Sequence, residues 1–102
     1  MIKAVPQEFK KVFQNMGPRF GEFAKSKEEY VMYSLIGLDQ ADAAAIRPFL
    51  DRILLSCTPD ELKDWWREGT STTYFTVADE LVEFLKIMRN ILGKPPYTAN
   101  RN

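Results

Sequence analysis

The chain has 102 residues, 45% of them hydrophobic and 27% charged, and its formal net charge is zero. These values are typical of one soluble globular domain and exclude a disordered chain. There is no histidine and only one cysteine, which excludes an internal disulfide, a structural zinc site and the nucleophile systems that depend on histidine. Without a roughly 20-residue apolar run or a visible secretory signal, the sequence predicts a cytoplasmic protein with no membrane contact.

Charge is unevenly distributed along the chain. Residues 1–34 carry six basic and four acidic side chains, net +2, whereas residues 35–83 carry four basic and ten acidic ones, net −6. Such a segment favours a basic partner and disfavours binding to nucleic acid. The simpler interpretation, acids at helix N-termini and on solvated helix faces, accounts for about half of these carboxylates.

The first third of the chain is predicted to form two helices. Apolar side chains in residues 9–16 recur at three- and four-residue spacing, which is typical of one buried helix face. A short turn that directs Phe20 and Phe23 inward is expected next. Ser26 and Glu29 match a capping box, and the helix that they begin is predicted to end at Gly37.

The next segment has a helix start and an interruption. Asp39 and Asp42 form an N-cap pattern. In one continuous helix, the ring of Pro48 would clash with the carbonyl of Ala44. A kink and a break both avoid this clash. We expect two separate segments, because Phe49 begins a fresh apolar stripe.

The clearest local signal in the chain is Thr58–Glu61. It combines an N-cap hydroxyl, a proline at the first helical position and an acid that can reach back to the cap. This helix is predicted to end at Gly69. Residues 70–75 are β-branched and aromatic but too few for a sheet, so we expect an extended connector. Thr76 is predicted to cap a last helix.

Taken together, these elements predict an all-α fold, a single compact bundle of five to six helices. Residues 1–93 form the predicted helical domain, and residues 94–102 a flexible C-terminal tail. Cys57, in an apolar run, is expected to be a buried, unreactive thiol.

Trp65 and Trp66 lie side by side on the helix that begins at Pro59. Adjacent residues on an α-helix are separated by about 100°, so one ring can face the core while the other lies at its edge. A small domain needs the roughly 150–250 Å² that a buried tryptophan hides. We expect both to be mainly structural, with Trp66 at the edge and able to contact a partner.

The last two predicted helices carry acids that could meet a partner. They are Asp60, Asp64 and Glu68 on the first helix and Asp79, Glu80 and Glu83 on the second. Asp79 and Glu80 suit a first turn, and Glu83 can pair with Lys86. Glu68, at a helix C-terminus, has no such explanation. The carboxylates lack the interrupting glycine and partner ligand of a metal motif, so neither a metal nor a cofactor is expected.

A pattern of motifs runs through residues 60–92. It consists of an aromatic and charged cluster, a Tyr-Phe connector, and a closing helix of the form L-x-x-F-L-x-x-x-R. The residues that carry it are Trp65, Trp66 and Arg67, then Tyr74 and Phe75, then Leu81, Phe84, Leu85 and Arg89. This segment resembles the C-terminal part of small helical immunity proteins from bacterial contact-dependent growth inhibition and related polymorphic toxin systems.

The resemblance implies a non-catalytic protein that binds the C-terminal domain of one cognate toxin, commonly a nuclease, and blocks its active site. Nucleases are often basic where they hold nucleic acid, so an acidic surface would complement them. The expected partner-binding residues are Asp60, Asp64, Trp66, Glu68, Asp79, Glu80 and Glu83. The alternative is a generic helical adaptor or assembly subunit that uses an exposed aromatic edge and could associate with copies of itself.

Overall fold

Helix caps and the helical spacing of apolar side chains give the described part of this chain five α-helices. The structure, a computed structural model, describes residues 2–16, 22–69 and 77–98. A short 3-10 helix, Gln7–Phe9, is followed by α1 Lys10–Asn15, α2 Lys27–Ser34, α3 Gln40–Ser56, α4 Pro59–Gly69 and α5 Ala78–Leu92. Those ranges contain no β-strand, and the predicted all-α bundle is confirmed. The predicted connector, residues 70–75, lies outside the described residues.

Helix α5 is the element around which the bundle packs. It contacts α2, α3 and α4, so its apolar side chains are enclosed from several directions. The fully buried ones include Leu81, Leu85, Met88 and Leu92. None of the helices that the structure describes has the length and apolar content needed to cross a membrane.

Two of the predicted N-terminal caps differ in completeness. In α3, the Asp42 amide donates to Asp39 Oδ1 at 2.9 Å, and the Asp39 amide donates to Asp42 Oδ2 at 3.1 Å. This reciprocal pair confirms the cap. In α2, Ser26 Oγ accepts from the Glu29 amide at 3.1 Å, but the Glu29 carboxylate accepts from the Tyr33 hydroxyl instead of the cap amide. The Ser26 cap is therefore present without the full capping box.

Helix α3 is continuous through Pro48, so the prediction of two segments is wrong. Ile46 before the proline and Leu50 after it are both fully buried, and Phe49 is buried between them. Pro48 itself is exposed. Because one continuous helix places this apolar stripe in the core, tertiary packing offsets the backbone hydrogen bond that the proline removes.

Three other local predictions have mixed outcomes. Phe23 is 73% exposed, so the prediction that it turns inward is wrong, and Phe20 lies outside the described residues. Helix α5 begins at Ala78, and its N-cap residue is Val77. The predicted N-cap residue was Thr76, which lies outside the described residues. Cys57 is only partly buried and packs against the core.

Helix α4 ends at Gly69, as predicted, and the C-terminus of α4 comes very close to α1. A β-carbon added at Gly69 would lie 2.3 Å from Cζ of the Phe13 ring, far inside van der Waals contact. Any other residue would therefore require the ring to move.

The first part of the predicted tail, residues 94–102, contacts α3. Arg47 Nη1 donates to the carbonyl of Tyr97 at 3.3 Å, and Gln40 Nε2 donates to the carbonyl of Pro96 at 3.2 Å. The Tyr97 side chain also packs against the core. These contacts hold the segment just after α5 on the bundle, and the flexibility of the tail as a whole stays a prediction.

The cap of α4 matches its prediction. The Thr58 amide donates to Glu61 Oε1 at 2.8 Å, and Thr58 Oγ1 accepts from the Glu61 amide at 3.2 Å. Thr58→Ala is expected to lower the free energy of unfolding by about 0.5–2 kcal/mol, because the Glu61 amide loses its acceptor. Urea titration followed by circular dichroism measures this loss. Thr58→Ser keeps the hydroxyl and should retain most of the stability; an equal loss in both variants would contradict the capping role.

Asp42 is buried and joins α3 to α1. Lys11 Nζ donates to its Oδ2 at 2.8 Å, and the same oxygen accepts from the Asp39 amide. The hydrogen bond from Lys11, followed by that from Asp39, lowers the pKa of Asp42 below its ordinary value of 3.8. Because folding lowers this pKa, the ionised carboxylate stabilises the folded chain above about pH 3.8, and the stabilisation is lost as the pH falls through the lowered pKa.

Asp42→Asn tests this linkage, since the amide keeps an acceptor oxygen but not the charge. The variant is expected to be less stable than the parent by about 1 kcal/mol at neutral pH, the size of a typical hydrogen bond. The difference should shrink in acid, where the parent carboxylate also becomes neutral. Urea titrations of both proteins over a pH series measure it. If the difference in the free energy of unfolding did not change with pH, the charge of Asp42 would not contribute to stability.

Candidate partner-binding surface

Helix α4 separates its acidic and apolar residues onto opposite faces. Leu62, Trp65 and Trp66 are buried, and this i, i+3, i+4 set defines the inner face. Its outer face is acidic: Asp60, Asp64 and Glu68 recur at four-residue spacing, and all three are exposed. The three acids that the sequence assigned to a partner on this helix therefore face solvent.

Trp66 does not lie at the edge of the core, so its assignment to the partner-binding surface is wrong. It is 1% exposed, less than the 8% of Trp65. Its ring lies 5.1 Å from that of Phe13 and 5.5 Å from that of Phe84, measured between centroids. Helix α1 covers one side of α4 and helix α5 covers the other side, so both tryptophans are enclosed. The angle between adjacent residues on a single helix had predicted that only one tryptophan would be buried.

An aromatic cluster beneath α4 accounts for the burial of both tryptophans. Phe9, fully buried, lies at its centre. Its ring centroid is 5.1 Å from Phe13, 5.7 Å from Phe49, 5.3 Å from Trp65 and 6.4 Å from Trp66, at tilted or edge-on angles that favour aromatic pairs. The inner face of α4 is therefore committed to the core, and only its outer face can meet a partner.

The acids of α5 divide into two kinds. Asp79 and Glu80 are exposed in the first turn, where the helix dipole favours negative charge. Glu83 is exposed too, but its carboxylate accepts from Lys27 Nζ at 2.9 and 3.1 Å, not from Lys86 as predicted. Packing of α2 against α5 brings Lys27 within reach. Water screens this exposed pair, so the contact leaves Glu83 accessible to a competing cation.

The ten acids of residues 35–83 fall into two equal sets. Five take part in caps or ion pairs within the fold: Asp39, Asp42, Asp51, Glu61 and Glu83. The other five make no side-chain hydrogen bond or ion pair with any residue that the structure describes: Asp60, Asp64, Glu68, Asp79 and Glu80. We call this second set the acidic surface. Among these five, only Asp64 and Glu68 lie beyond the first turn of their helix, so neither a cap nor the dipole explains them.

The acidic surface lies on neighbouring elements, since α4 and α5 pack directly against each other. These carboxylates provide negative charge, but they are not arranged as the ligands of a metal site. In residues 2–16, 22–69 and 77–98, no three cysteine or carboxylate side chains are grouped so that they could hold a metal ion. The arrangement suits recognition of a positively charged protein surface.

Some apolar side chains to which the sequence gives no role are also exposed. Met32 on α2 and Ile36 just after it are exposed, and Leu55 near the end of α3 is 90% exposed. Met32 and Ile36 are four residues apart, a spacing that could have marked them as one side of the helix. They are not part of the acidic surface.

Comparisons of this chain with protein-family models, with curated proteins and with solved structures find no match. The resemblance of residues 60–92 to immunity proteins therefore rests on the motifs quoted above. Two of the residues that carry it, Tyr74 and Phe75, lie outside the described residues.

Proposed function

We propose that this chain is an immunity protein that binds the C-terminal domain of a cognate toxin, most simply a nuclease, and blocks its active site without catalysis. The observation that carries the proposal is the acidic surface, five exposed carboxylates that make no side-chain hydrogen bond or ion pair with any described residue. Asp64 and Glu68 are central to it, because capping gives no reason for an acid at either position. The resemblance of residues 60–92 supplies the class of partner.

Charge complementarity between the acidic surface and a basic active site supports this function. A nuclease presents cationic side chains where it holds the phosphates of its substrate. An inhibitor that offers carboxylates to that site competes with nucleic acid, and its field accelerates the encounter. Like charges on one helix cost each other a few tenths of a kcal/mol in the free protein. A basic partner would reverse this cost on binding.

Co-expression tests the proposal directly. The proposal predicts a large secreted toxin encoded immediately upstream of this chain, and the C-terminal domain of that toxin is the partner to use. We expect co-expression to restore growth of cells that the toxin alone kills, and the two proteins to co-purify as a complex. An inactive toxin variant allows the complex to be prepared without cell death. No rescue and no complex with that domain would overturn the proposal.

A generic helical adaptor or assembly subunit that could associate with copies of itself is the second candidate. The exposed apolar side chains of Met32, Ile36 and Leu55 favour it, because they could join copies or partners without charge steering. Sedimentation of the purified chain over a range of concentrations measures self-association. A concentration-dependent dimer that Met32→Ser abolishes would support this second function.

The salt dependence of the association rate distinguishes the two proposed functions. At physiological ionic strength, screening acts over about 8 Å. Association steered by the acidic surface should therefore slow clearly between low and physiological salt, whereas an apolar interface should not. Stopped-flow or surface-binding measurements of the association rate provide the comparison. A rate that is independent of salt would count against a charge-steered interface.

A further inference from the structure

No further inference is drawn: the strongest candidate, the exposed apolar side chains of Met32 and Ile36 on and just after α2, carries nothing because nothing in the structure shows what covers them.

Discussion

Replacing Trp66 with alanine is expected to lower the free energy of unfolding by about 3–5 kcal/mol, the usual cost of truncating a large buried aromatic side chain. The ring is 1% exposed and lies within 6 Å, between centroids, of Phe13, Trp65 and Phe84. Its removal opens a cavity where α1, α4 and α5 meet. Because a domain of this size is stable by only about 5–15 kcal/mol, the variant should unfold at a much lower urea concentration. Far-ultraviolet circular dichroism follows unfolding without depending on tryptophan fluorescence.

Two companion variants make this measurement specific. Leu55→Ala removes an apolar side chain that is 90% exposed, and its effect should stay within about 0.5 kcal/mol. Trp65→Ala should also be costly, but no more than Trp66→Ala, since Trp65 is the more exposed of the two rings. A clearly larger loss of stability in Trp65→Ala than in Trp66→Ala would support the predicted position of Trp66 at the edge of the core.

Reversing the charge of Asp64 and Glu68 together is expected to abolish protection while leaving the protein folded. Both side chains are exposed and have no partner among the described residues, so Asp64→Lys/Glu68→Lys should change stability by less than about 1 kcal/mol. Against a basic toxin site, the same change places positive charge opposite positive charge. Two such juxtapositions should cost several kcal/mol of binding, and each 1.4 kcal/mol is a factor of about ten in affinity.

The measurements are growth rescue, the dissociation constant for the toxin domain and urea titration of the free variant. Asp64→Asn/Glu68→Gln removes the charges without reversing them and should weaken binding by an intermediate amount. Glu28→Lys, a charge reversal at an exposed position of α2, serves as the control and should leave protection intact. Full protection by a folded Asp64→Lys/Glu68→Lys protein would place the interface elsewhere, with the helix of residues 40–56 as the next candidate.

The positions of the acidic residues could be predicted from the sequence more fully than their ion pairs could. The acidic residues of α4 and α5 could be predicted from the sequence because helical spacing alone places them opposite an apolar stripe. Which carboxylates of residues 35–83 the fold already uses could not be predicted. Glu83 pairs with Lys27, 56 residues away in the chain, and Asp51 pairs with Arg89, 38 residues away. Such pairs depend on which helices lie next to each other.

What the sequence determined by itself is local. The caps at Asp39 and Thr58 and the helix end at Gly69 each involve residues a few positions apart, so their chemistry is visible in the chain. The apolar spacing likewise made the all-α fold predictable.

Only the tertiary structure decided the continuity of α3 through Pro48 and the burial of Trp66. A proline disfavours a helix interior in isolation, but packing of the residues on either side of Pro48 into one core offsets that cost. The position of Trp66 is likewise set by neighbours that cover α4 from both sides, and no property of one helix reveals how many neighbours it has.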